Sequence, residues 1–195
     1  MTNEQIVDLG TMEILFNRLP ETVGGTLSIN ALHEDLQIAH KTLSRWIDAL
    51  ERLYAVFRVL PFGPPRIKAI KKERKVFFYD WNAVHEVGPR FENFVAGHLI
   101  KWIYQEQDIK GRNLELRFFR DKYGREVDFV VLENGKPTLL LEAKHADAEI
   151  SKGLVYLKSR FPSARAVQVH LSGKKEYISA NGVEVFHVIE LLKTL

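Results

Sequence analysis

The chain has 195 residues and no cysteine. That excludes disulfide staples, thiolate nucleophiles and cysteine-based zinc sites, and it agrees with a cytoplasmic location. No apolar run approaches the roughly 20 residues needed to cross a bilayer, so no membrane association is expected. The opening MTNEQIVDLG has no basic stretch leading into an apolar one, so no secretory signal is read there. Four signatures of common chemistries are missing. There is no Gly-x-x-x-x-Gly-Lys-Ser/Thr phosphate loop, no Gly-x-Gly-x-x-Gly dinucleotide loop, no Gly-x-Ser-x-Gly elbow and no His-Glu-x-x-His zinc helix. The net charge of +3 is too small to name a partner.

What is present divides into two halves. Residues 1–80 open with helical spacing. Ile6, Leu9, Met12, Leu15 and Phe16 mark one face, Pro20 closes that segment, and Gly24 and Gly25 break the chain. Ser28 or Asn30 caps a short helix carrying Leu32 and Leu36, and a turn at Gln37–Ile38 follows. A longer helix carries Leu43, Trp46, Ile47, Leu50 and Leu53 along one stripe. Two helices joined by so short a turn form a helix-turn-helix. YAVFRVLPF and VFFYD then read as strands around GPPRIKAIKKERK. This is the layout of a winged helix. In it Lys41, Ser44 and Arg45 face a DNA groove, and Arg66, Lys68, Lys71, Lys72 and Lys75 meet phosphates. From Tyr54 to Asp80 seven cations stand against two anions, a local net of +5. The competing reading is a charged, solvated loop on a packing or protein-binding module.

Residues 81–195 read as helix, three strands, helix, strand and a tail, or αβββαβ. A long amphipathic helix spans HEVGPRFENFVAGHLIKWIYQEQ. LELRFFRD, REVDFVVL and TLLLEAKHA are strands, and the last two are joined by a turn at ENGKP. Strand alternation puts Asp128 with Val130 and Leu132, and Glu142 with Leu140 and Lys144. If the turn is centred on Gly135, partners sum to 270 and Asp128 faces Glu142. Opposed carboxylates repel, and a divalent cation between them is one remedy. Few oxygen ligands with room for water and phosphate suit Mg²⁺ or Mn²⁺. The Ala143 carbonyl offers a further ligand, and Lys144 can orient a water or neutralise developing phosphate charge. The competing reading is a surface Glu-x-Lys ion pair.

Asp128, Glu142-Ala143-Lys144 and the preceding helix bearing Glu92 resemble the PD-(D/E)xK nuclease superfamily, whose restriction-endonuclease-like core has the same αβββαβ order. The resemblance implies that Asp128, Glu142 and Ala143 bind metal, that Lys144 is the catalytic lysine and that Glu92 is an auxiliary acid. Val127 stands where that family has its proline. The wider succession from SINALHEDL to FFRDKYGREVDFVV and LLLEAKHA resembles the DUF4143 region that follows an AAA-type module in prokaryotic predicted ATPases. That resemblance implies an ATPase module as partner, in cis or in trans, for a chain that lacks the phosphate loop itself. The expected architecture is therefore α/β: a winged helix over 1–80, then a restriction-endonuclease-like domain with a mixed sheet over 81–195. The expected function is metal-dependent cleavage of DNA. The alternative is a non-catalytic DNA-binding, protein-interaction or regulatory module.

Overall fold

A computed structural model describes residues 9–63 and 74–195. Ile6 of the first apolar stripe and Arg66, Lys68, Lys71 and Lys72 of the basic run lie outside the described residues.

The N-terminal elements are α1 (Leu9–Arg18), α2 (Ile29–Leu36) and α3 (His40–Arg52). Ser28 supplies the N-cap of α2, its Oγ accepting from Ala31 N at 3.1 Å. Gln37 ends that helix in the left-handed region at φ 56°, the conformation that stops a helix at this position. Leu43, Trp46, Ile47 and Leu50 are buried on α3. Leu53 lies one residue past its end and is exposed, because the stripe stops with the helix.

The rest of the chain builds one mixed sheet flanked by helices. Its strands are β1 (Val56–Pro61), β2 (Lys75–Phe78), β3 (Leu114–Arg120), β4 (Glu126–Glu133), β5 (Lys136–Lys144), β6 (Arg165–His170), β7 (Tyr177–Ile178) and β8 (Val183–His187). The order across the sheet is β2-β1-β3-β4-β5-β6-β8-β7. β1–β3, β5–β6 and β6–β8 are parallel and the other pairs antiparallel. Three more helices complete the fold: α4 (Val87–Lys110), α5 (Lys152–Arg160) and α6 (Val188–Leu192). Phe91, Val95, Leu99 and Ile103 of α4 pack with Phe129, Val131, Leu139 and Leu141 on one face. Leu154 and Leu157 of α5 pack with Val127, Val130, Leu132 and Leu140 on the other. With both faces covered, the central strands are near-continuous apolar runs, and any charge among them needs a partner.

The boundary expected at residue 80 falls in a short 3-10 turn, Trp81–Ala83, between β2 and α4. Sheet and core both pass across it. β1 pairs with β3 at Leu60–Arg117 and Pro61–Phe118, and Phe77 packs on Phe129 with ring centroids 5.6 Å apart.

Two irregularities set the hairpin's register. Asn134 and Gly135 both have positive φ, 51° and 75°, as a two-residue hairpin turn requires. Glu133 therefore pairs with Lys136, a sum of 269 rather than 270. One extra residue on β5 restores 270 from Val131–Leu139 onward. The second irregularity is a bulge on β4. Arg117 pairs with Val130 but Phe119 with Val127, so Phe118 alone stands opposite Asp128 and Phe129. This corrects the expected alternation. Val127 joins Val130 and Leu132 on the α5 face, while Phe129 joins the α4 face. A bulge re-aims side chains in this way, and here Asp128 lies 3.6 Å from the Lys75 ammonium.

Candidate functional site

Four elements deliver charge to one end of the sheet. Glu126 and Asp128 come from β4, Glu142 and Lys144 from β5, Glu92 from α4, and Lys75 from the first position of β2. Asp128 and Glu142 each accept from the other's strand. Ala143 N donates to Asp128 Oδ2 at 3.0 Å, and Asp128 N donates to Glu142 Oε2 at 3.4 Å. These bonds join the two strands just beyond their last backbone pair, Phe129–Leu141. Lys144 Nζ lies 2.6 Å from Glu142 Oε1.

Lys75 is the least expected member. It is 1% exposed, and its Nζ lies 2.9 Å from Glu92 Oε1, 2.8 Å from Glu126 Oε1 and 3.6 Å from Asp128 Oδ1. The Phe118 ring, opposite the bulge, is centred 5.7 Å from the same nitrogen. The expectation that Lys75 meets phosphate is therefore corrected: an ammonium buried this deeply inside a carboxylate ring does not reach a nucleic-acid backbone. A sequence signal existed. Lys75 heads KVFF, a strand buried at all four positions, and a cation leading a wholly buried strand needs an internal anion.

The electrostatics follow from depth and crowding. Burial first, then the Asp128 charge, push the Glu92 carboxyl up to about 8 against the pull of Lys75. Burial and Asp128 likewise push Glu142 up to about 7, opposed by Lys144. Burial alone would lower Lys75, but Glu92, Asp128 and Glu126 outweigh it and hold the ammonium above its ordinary value. Lys144 is raised in the same way, burial being overcome chiefly by Glu142.

The site opens into a cleft of about 560 Å³ lined by Glu126, Asp128, Glu142, Lys144, Lys152 and Gly24, among others. Its walls are fixed locally. Ser151 caps α5, its Oγ accepting from Leu154 N at 3.4 Å. Gly153 lies so close to the Glu126 backbone that no Cβ fits there. At the rim, Asp121 holds the Asp121–Arg125 turn by accepting from Tyr123 N at 2.9 Å, Arg125 N at 3.1 Å and Arg125 Nε at 2.7 Å.

Among the described residues no three acidic or imidazole side chains form a ready cage for a metal ion. The reason is visible: Lys75 engages Glu92, Glu126 and one oxygen of Asp128. Mg²⁺ does not need such a cage, since it often binds through one or two carboxylates and keeps several waters. Asp128 and Glu142 on an open cleft fit that demand. Four carboxylates, Glu92, Glu126, Asp128 and Glu142, face two ammoniums, Lys75 and Lys144.

Lys41, Ser44 and Arg45 share an exposed face of α3. Ser44 lines a second groove with Asp48, Arg58 and Arg74, and none of its lining residues belongs to the acidic cleft. Arg58 is committed there to Asp48, at 2.8 Å, and to Glu51.

No helix among the described residues is long and apolar enough to cross a membrane. Residues 2–87 match the family described as Domain of unknown function (DUF8612), and residues 87–191 match Domain of unknown function (DUF4143). No curated protein and no solved structure matches the chain. The second match covers more than half of the 195 residues, and the chain belongs to the DUF4143 family.

Proposed function

We propose that this chain is a metal-dependent nuclease of the PD-(D/E)xK type that acts on DNA. One observation carries the reading. Asp128, Glu142 and Lys144 sit on adjacent strands and line one open cleft. A divalent ion there would supply Lewis acidity and lower the pKa of a bound water. Asp128, Glu142 and the Ala143 carbonyl would hold that ion. Lys144, part exposed beside Glu142, would orient the attacking water or neutralise charge on phosphate oxygens. Glu92 acts one step back, as a partner of Lys75. The order α2, turn, α3, β1, β2, with Lys41, Ser44 and Arg45 exposed, supports a winged helix that grips DNA. The αβββαβ order over 87–170 supports a restriction-endonuclease-like core. On this reading the protein works in the cytoplasm, with an AAA-type ATPase module in cis or in trans.

A second reading has its own observation. Lys75 already neutralises part of the acidic ring, as in a site that has given up metal and serves DNA binding or regulation. Calorimetric titration of Mn²⁺ into the wild type and Glu142→Ala decides between the two. Binding that disappears in the variant, with Mn²⁺-dependent nicking of plasmid DNA, supports the nuclease. Absence of binding in both favours the non-catalytic module.

A further inference from the structure

The buried ammonium of Lys75 has the surroundings of a bound metal ion. Three carboxylate oxygens from Glu92, Glu126 and Asp128 converge on it, from α4 and two positions of β4. Lysine carries three N–H donors and no acceptor; Glu92 and Glu126 lie within hydrogen-bond distance of the nitrogen, and Asp128 Oδ1 at 3.6 Å adds charge. The nitrogen is tethered to the backbone of β2 and cannot exchange with solvent as a free ion would. Asp128 is divided between two duties, with Oδ1 toward Lys75 and Oδ2 toward Ala143 N–H beside Glu142. The site thus has two neighbouring cation positions, and Lys75 fills one of them.

Resting on the nuclease reading above, we infer that Lys75 is a built-in cation that takes the place of a second metal ion and limits the centre to one divalent ion, held by Asp128 and Glu142. The oxygen count agrees. With Lys75 in place, Glu92, Glu126 and Asp128 each turn one oxygen to the ammonium, and without it those three oxygens would have no cation between them. Lys75 lies at residue 75, inside the segment that matches DUF8612 and outside the DUF4143 match at 87–191. The acidic centre is therefore completed by a residue from the other family segment, and Lys75 acts as a positioning residue for the metal rather than as a group that touches the substrate.

The experiment is Mn²⁺ titration by calorimetry, with thermal melts with and without Mn²⁺, on the full chain of the wild type, Lys75→Met and the double variant Lys75→Met/Glu92→Gln. The wild type should bind one ion. Lys75→Met should bind two, and millimolar Mn²⁺ should raise its melting temperature more than that of the wild type. If the metal-free variant does not fold, Mn²⁺ should restore its fold, because the ion replaces the missing cation. The double variant, which lacks one oxygen ligand of the second position, should return to one ion. One ion in Lys75→Met, with the melting response of the wild type, overturns the inference and leaves the nuclease reading standing; Lys75 would then be a structural lysine only. No ion in the wild type overturns that reading and the inference with it.

Discussion

The two ends of the β4–β5 hairpin carry the same kinds of side chain and treat them in opposite ways. At the turn end, Glu106 and Glu133 share Arg112, with Nη1 and Nε at 2.8 and 2.9 Å, and Lys110 adds a second cation on Glu106 at 2.8 Å. Two carboxylates meet two cations. Hydrogen bonds from Lys110 and Arg112 hold Glu106 below the usual carboxylate range, and a bond from Arg112 does the same for Glu133. At the cleft end four carboxylates meet two cations, deep in the sheet, and Glu92 and Glu142 are pushed up. Both clusters are ion pairs on one hairpin. The difference lies in charge balance: a balanced cluster fastens the fold, and an anion-rich one is left wanting a cation.

Three perturbations would break or sharpen that contrast. The largest effect should come from Lys75→Ala, which strips the cation from a buried ring and should cost about 3–5 kcal/mol in a urea melt. Arg112→Ala at the partly exposed rim should cost only a small fraction of that, and equal losses would erase the distinction. The next effect is in pH. A glutamate whose folded pKa lies above its unfolded value of about 4.3 keeps its proton longer in the fold. Its contribution to stability therefore falls as pH rises from there toward the folded value. For Glu142 and Glu92 that window runs up to about 7 and about 8. Metal-free protein should lose stability between pH 5 and 8, and Glu92→Gln with Glu142→Gln should flatten the slope. Glu106 and Glu133, with depressed folded values, contribute stability above the ordinary carboxylate pKa and lose it as pH falls through their folded values. Arg112→Ala should therefore lower stability above the ordinary carboxylate pKa and make the loss on acidification shallower. The smallest effect is at the turn. Gly135→Ala places a side chain at φ 75° and should cost about 1 kcal/mol. Mn²⁺ binding should be unchanged, because the extra residue on β5 separates the turn's register from that of the cleft.

Much of the cleft was legible in the sequence because strand pairing is local. Asp128, Glu142 and Lys144 follow from alternation, one turn and a sum of 270, and the pairs Phe129–Leu141 and Val130–Leu140 keep that sum. The bulge was not legible. It depends on β3, which presents one residue where β4 presents two, and nothing in REVDFVVL marks it. In sequence, Lys75 is one of seven cations between Tyr54 and Asp80 and reads as part of a basic wing. Its burial is decided by α4 and β4, distant in sequence, which bring Glu92 and Glu126 to meet it. Glu126 carries no local signal for the same reason: its partner lies across the sheet. Local spacing identifies groups on one strand or hairpin, whereas a counter-ion supplied from another element appears only after folding.

Asn93 of α4 is fully buried, accepts from Phe78 N at 2.8 Å and donates to Phe78 O at 2.7 Å. Its side-chain amide offers β2 the donor and acceptor that one peptide unit of a neighbouring strand would offer. β2 is the last strand at this end of the sheet, and an outermost strand with free backbone groups is a template for foreign chains. The amide occupies that template at Phe78. A strand arriving from another molecule would find both groups of that residue already paired, so at this point the sheet has an end that cannot be extended.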